Sequence, residues 1–143
     1  MTVKAIVSRK GRDVLTIEPT ASLAAAVKLL AERRIGAIVI TGADHQVIGI
    51  LSERDIVRAL AARGPTALDE PVGQVMTRKV MTCAEDETVA SVAERMTEGK
   101  FRHLPVVDSG RLAGIVSIGD VVKYRLEEME RESSALKEYI LTA

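Results

Sequence analysis

Displaced by 66 residues, the chain lies on itself: Thr16 falls on Thr82, Ser22 on Thr88, Leu23 on Val89, Ala24 on Ala90, Leu30 on Met96 and Glu32 on Glu98. After one deleted residue the displacement becomes 65, and Gly49-Ile50 meets Gly114-Ile115, Ser52 meets Ser117, Asp55 meets Asp120 and Val57 meets Val122. The lead-ins agree too, Ser8-Arg9-Lys10 against Thr77-Arg78-Lys79, with Gly11-Arg12-Asp13 inserted in the first copy. Two copies of one unit constrain the fold more than any single motif, because whatever one copy forms the other must form as well.

The spacing predicts a β-α-β-β-α unit in each copy. In the first, Val14–Ile17 reads as a short strand ended by Pro19. Ser22 is placed to cap a helix whose apolar positions, Leu23, Ala26, Val27, Leu30 and Ala31, follow the helical stripe. Ile35–Ile40 is a β-branched run, turned by Gly42-Ala43-Asp44, and Val47–Leu51 runs back as the next strand. Ser52 opens a second helix, which Gly64-Pro65 stops. The second copy repeats the scheme with Val80–Cys83, Thr88–Thr97, Leu104–Val107, Leu112–Val116 and a helix from Ser117.

The expected fold class is therefore α+β. Residues 1–65 form the first repeat, 66–71 the linker, and 72–143 the second repeat with a C-terminal helix. Units of about 60 residues bury so little surface that their independent stability is marginal. The two sheets are thus expected to pack together with pseudo-two-fold symmetry, leaving clefts between the repeats. The last helix runs on, with Val122, Leu126, Met129, Ser133, Leu136 and Ile140 in a heptad-like seam. Such a seam serves either a helix packed on its own domain or one meeting its mate across a dimer.

Composition excludes several classes. Lys plus Arg equal Asp plus Glu at 20 each, without the basic excess of a nucleic-acid binder. An aromatic share of 2% removes the platforms on which single strands stack, and leaves a core of Val, Ile, Leu, Ala and Met. A lone cysteine, Cys83, forms no internal disulfide and suits a reducing compartment. The N-terminus lacks a signal-peptide h-region, and no apolar run approaches the ~20 residues that span a bilayer. A soluble cytoplasmic protein, with no nucleic-acid or membrane partner, is expected. There is no phosphate loop, no G-x-G-x-x-G, no nucleophile elbow, and no Cys/His cluster with metal spacing, so neither an enzyme nor a metal site is expected.

What recurs is Gly-Ile-(Leu/Val)-Ser-x-x-Asp, at 49–55 and 114–120. Ser-x-x-Asp after an apolar strand is a capping box in its own right. The same geometry offers a helix N-terminus to an anion, and a carboxylate one turn in that can accept two hydrogen bonds from a ribose diol. The second copy adds Lys100, Arg102 and His103 just before a strand, and guanidinium forks match phosphate. The first copy has Gly36 for Arg102 and Ala37 for His103, with Arg54 inside its box as a substitute.

The repeat, the run Phe101-Arg102-His103-Leu104-Pro105-Val106-Val107-Asp108, and Gly-Ile-Val-Ser-Ile-Gly-Asp at 114–120 resemble the CBS-domain family. The likeness is to stand-alone bacterial CBS pairs, which also show the Ile35-Gly36-Ala37 and Ser52-Glu53-Arg54-Asp55 patterns, and covers roughly Val3 to Lys123. The resemblance implies regulation by an adenosine ligand, AMP, ADP or ATP, with NAD(H) or S-adenosylmethionine as further candidates, in the clefts between repeats. By resemblance Asp55 and Asp120 hold ribose, Ser117, Arg102 and His103 meet phosphate, and Thr16, Ile35, Gly36, Thr82, Cys83 and Leu104 line the base. Ser52, Arg54, Ala37 and Lys100 complete the expected ligand-binding set. It also implies a homodimer that acts on an unidentified regulated protein. The alternative is a constitutive dimerisation scaffold with empty sites.

Overall fold

Hydroxyl caps start the equivalent helices of the two copies. In a computed structural model of the chain, which describes residues 1–142, Ser22 Oγ accepts from the Ala25 amide and Thr88 Oγ1 from the Ser91 amide, both at 3.1 Å. These caps open α2 (Leu23–Arg33) and α5 (Val89–Gly99). Both helices end on a left-handed residue that is not glycine, Arg34 and Lys100.

In the first copy β1 (Thr16–Ile17) pairs parallel with β2 (Ala37–Thr41), which pairs antiparallel with β3 (Val47–Ser52). Helix α3 (Glu53–Arg63) follows directly and ends at Gly64. The linker region is not loose, since Gly64–Asp69 winds as a 3₁₀ turn. The second copy holds β4 (His103–Asp108) antiparallel to β5 (Arg111–Ser117), then α6 (Ile118–Thr142). The expected strand Val80–Cys83 reduces to one parallel bridge, with the Cys83 amide donating to the Pro105 carbonyl and the Val107 amide to the Cys83 carbonyl. The next donor along β4 would be residue 105, and proline has no N–H to give, so the ladder stops. Two tandem repeats of α+β class and a C-terminal helix are thus the architecture.

The lead-in segments exchange partners. Helix α1 (Val3–Lys10) buries Val3, Ile6 and Val7 in the core of the second copy, among Val89, Val92, Leu104 and Val116. Helix α4 (Val72–Val75) and Met76 pack instead into the first core, beside Leu23, Ile38 and Leu51. The backbone bonds repeat the exchange position by position. Val3, Lys4 and Val89 amides donate to Glu87, Glu85 and Met1 carbonyls, as Val72, Gly73 and Leu23 amides do to Ala21, Pro19 and Glu70. This is the pseudo-two-fold relation in hydrogen bonds, and it ties the halves into one body.

The glycine that opens each repeated motif is the seat for the visiting lead-in. A Cβ at Gly114 would stand 2.5 Å from Val7 Cγ1, and one at Gly49 would meet the Met76 side chain. Val7 is β-branched and fully buried, so it cannot swing aside. Gly114→Ala is therefore expected to destabilise the fold by about 1–3 kcal/mol, as overpacking does. Urea denaturation reads it, and Val7→Ala in the same chain should recover part of the loss; no change in midpoint would contradict this seat.

The lead-ins are not equal in shape. The second leaves its helix after Val75 and runs extended, exchanging Thr77 and Ile50 backbone bonds at 2.9 and 3.0 Å. The first stays helical to Lys10 and is followed by the inserted Gly11-Arg12-Asp13. Its Lys10 Nζ, not its backbone, reaches the equivalent Ile115 carbonyl, at 3.2 Å.

Helix α6 packs on its own repeat through Val121 and Tyr124. Arg9 stacks 5.1 Å over the Tyr124 ring and pairs with Glu127, while Glu128 meets the N-terminal ammonium at 3.7 Å. From Met129 to Thr142 every residue of the helix is exposed. No helix among the described residues is long and apolar enough to cross a membrane.

Candidate functional site

Both Ser-x-x-Asp boxes form as capping boxes, and what touches each carboxylate differs. Ser52 N–H and Oγ–H donate to Asp55 Oδ2 at 2.9 and 3.1 Å, and Thr77 Oγ1–H donates to Asp55 Oδ1 at 2.9 Å. Asp55 is the one charged residue of the buried set, 9% exposed. Ser117 N–H and Oγ–H donate likewise to Asp120 Oδ2 at 2.9 and 3.0 Å, but the third donor is Lys10 Nζ at 2.7 Å. Burial pushes the Asp120 carboxyl up; the Lys10 ammonium and the Ser117 donors outweigh it and hold the group below the usual aspartate range. At Asp55 two of the three donors are hydroxyls that can rotate away, whereas at Asp120 one of the three is an ammonium charge.

Asp55 stands in a cleft of about 940 Å³ walled by both repeats. The first repeat supplies Gly36, Ala37, Ile50, Ser52, Arg54 and Asp55, with Glu53 and Arg58 beside them. Across from them the second supplies Thr77, Lys79, Val80, Met81 and the turn Lys100-Phe101-Arg102-His103. The left-handed residue at 100 delivers that turn to the cleft.

The pairing of residues thus runs across the repeats. Arg102 and His103 line the cleft of the Ser52–Asp55 box and also adjoin the Ser117 box, His103 standing in register with Ser117 and the Ile118 amide donating to the Arg102 carbonyl at 2.8 Å. The first-copy departures at Gly36 and Ala37 acquire a reason. A Cβ at Gly36 would lie 3.3 Å from His103 Cε1 and 3.5 Å from Glu53 Oε1, so glycine there admits the imidazole of the other repeat. Burial first, then the Lys10 ammonium, push the His103 ring below its usual value against the pull of Glu53, which leaves it neutral near pH 7. The ring is then both donor and acceptor.

Of the expected residues, the cleft gathers Gly36, Ala37, Ser52, Arg54, Asp55, Lys100, Arg102 and His103. Asp120 and Ser117 sit at their own box beside Lys10. Thr16 lies on β1 in register with Val39, Ile35 opens onto a separate apolar groove between α2 and α3, and the Thr82 carbonyl accepts from Arg95 at 2.6 Å. Leu104 is fully buried in the second core. Cys83 is buried with it, and burial, with Glu87 adding, pushes its thiol up to about 12, so it is inert as a nucleophile. Sequence reasoning missed Arg58, Thr77 and Lys79; the match of Thr77-Arg78-Lys79 to the first lead-in was the available signal. Among the described residues no group of three or more His, Cys, Asp or Glu could hold a metal ion.

The CBS domain sequence model matches residues 3–62 and again 72–127. The chain belongs to the CBS-domain family. A solved CBS-domain-containing protein of Agrobacterium tumefaciens is 48% identical, with a TM-score of 0.84 over 87% of this chain and 99% of that one. The CBS domain pair of protein MJ0100, solved in complex with 5′-methylthioadenosine and S-adenosyl-L-methionine, is 29% identical, TM-score 0.79, over 90% and 98% of the two chains. A CBS domain protein of Pyrobaculum aerophilum complexed with AMP is 30% identical, TM-score 0.74, over 84% and 89%. The curated relatives are longer, and this CBS pair spans between 22% and 68% of the first three.

Proposed function

We propose that this CBS pair is a regulatory, non-catalytic module of the cytoplasm that binds an adenosine nucleotide between its repeats. The bound state is signalled through the packing of the repeats or of a homodimer to a regulated protein. The observation that carries the reading is the Asp55 carboxylate, held by rotatable hydroxyls at the wall of a cleft that also bears Arg54, Arg102 and His103. Rotating Ser52 and Thr77 frees lone pairs for a ribose diol, and the guanidinium forks meet phosphate. The apolar walls Ile50, Val80 and Met81 suit a base. Structural relatives bound to AMP, and to S-adenosyl-L-methionine with 5′-methylthioadenosine, support an adenosine ligand. AMP, ADP, ATP and NAD(H) are the candidates.

A melting-temperature panel tests it. A ligand at 100 times its Kd stabilises the fold by about 2.7 kcal/mol. Adenosine nucleotides should raise the melting temperature well beyond GTP or CTP. An equal response to all nucleotides, or to none, favours the scaffold reading instead.

The homodimer rests on the exposed apolar residues Val57, Val122, Leu126 and Met129, two of them equivalent between the repeats. Sedimentation at micromolar concentration should give about twice the 15.4 kDa chain mass; a monomer would contradict it.

A further inference from the structure

The chain has as many acidic as basic residues, yet one cleft gathers five cations that lack a carboxylate partner. Arg54, Arg58, Lys79, Lys100 and Arg102 all line the Asp55 cleft, and none makes an ion pair within the described residues. A sixth, Arg95, is neutralised by Glu87 at 2.9 Å. The carboxylates in the same wall are three, Glu53, Asp55 and Glu98, and Asp55 is already held by Ser52 and Thr77.

A terminal phosphate offers three acceptor oxygens and about −1.5 to −2 charge at neutral pH. Two guanidinium forks engage most of that. Five unpaired cations are more than one phosphate can use, and a volume of about 940 Å³ is at the upper end for a small-molecule site.

The Asp120 side is the opposite. Where the Asp55 cleft has Lys100, Phe101, Arg102 and His103, the equivalent positions are Arg34, Ile35, Gly36 and Ala37, and Gly119 replaces Arg54. Arg34 opens onto the apolar α2–α3 groove. Lys10, the counterpart of Lys79, is spent on Asp120 at 2.7 Å and on the Ile115 carbonyl at 3.2 Å. The Lys10 ammonium shares Asp120 Oδ2 with the two Ser117 donors, so the one cation of that box is already paired.

We propose that the chain binds one ligand, in the Asp55 cleft, and that this ligand is a nucleoside carrying two or more phosphates, the Asp120 side having no counterpart of Arg54, Arg102 or His103. The inference rests on the adenosine reading above and selects within it. Titration calorimetry of the intact chain with adenosine, AMP, ADP, ATP and inorganic tripolyphosphate tests both together. Affinity should rise at least tenfold from AMP to ADP or ATP, with one equivalent per chain and a steep loss as salt is raised. Tripolyphosphate should bind more weakly than ATP, because it leaves the base and ribose contacts unmade. Lys100→Gln with Arg102→Gln, both exposed positions, should weaken ATP tenfold or more and AMP much less, at an unchanged apo melting temperature. AMP binding within threefold of ATP, or two equivalents per chain, overturns the inference and leaves the adenosine reading standing. Binding of none of the adenosine compounds overturns both.

Discussion

Ile6→Ala is expected to lower the unfolding free energy by about 2–5 kcal/mol, the cost of truncating a buried aliphatic side chain whose cavity cannot fully close. Ile6 is fully buried, and its core cluster includes Val89, Val92, Leu104 and Val116, all more than eighty residues further along the chain. The damage should therefore appear in the second repeat. Amide exchange should lose protection in β4 and β5 before β2 and β3. A loss below ~1 kcal/mol, or one confined to the first sheet, would contradict the exchange of lead-ins.

Asp55→Asn should have its large effect on the ligand and a small one on the fold. An amide oxygen can still accept from the Ser52 N–H, and the new amino group can donate to Thr77 Oγ1, whose hydroxyl then turns elsewhere. A ribose diol, in contrast, loses a charged acceptor worth about 1.5–3 kcal/mol, or ten- to a hundredfold in affinity. Calorimetry with ATP and 2′-deoxy-ATP separates this from a general change of charge. The native chain should distinguish the two nucleotides, and the Asn variant should bind them nearly alike. A variant that still discriminates, or one that merely melts earlier with unchanged affinity, would leave Asp55 as a helix cap.

Much of the fold was legible because local rules and tertiary needs agree. Ser22, Ser52, Thr88 and Ser117 were read as helix starts from a hydroxyl before an apolar stripe, and each stands at one. The gap at Val80–Cys83 was not legible from that run's own β-branched composition; it comes from a proline in the neighbouring strand. The crossing of the lead-ins was invisible for a related reason. A short segment such as Val3–Lys10 declares an apolar face but not the core that receives it, and the repeat itself suggests that each lead-in serves its own copy. The candidate site suffered from the same assumption. Ser-x-x-Asp and Arg102-His103 were found by type, while the cleft joins them across the repeats and adds Lys79 and Thr77 from a lead-in. Gly36, expected to line the base and standing where the second copy has Arg102, leaves the room in which the His103 ring lies.

The most direct test of the account is the structure of the chain crystallised with ATP. The ribose hydroxyls should lie within hydrogen-bond distance of Asp55, with the base against Ile50, Val80 and Met81 and the phosphates among Arg54, Lys100 and Arg102. Nucleotide bound away from the inter-repeat cleft, or inside it with no ribose contact to Asp55, would contradict the account.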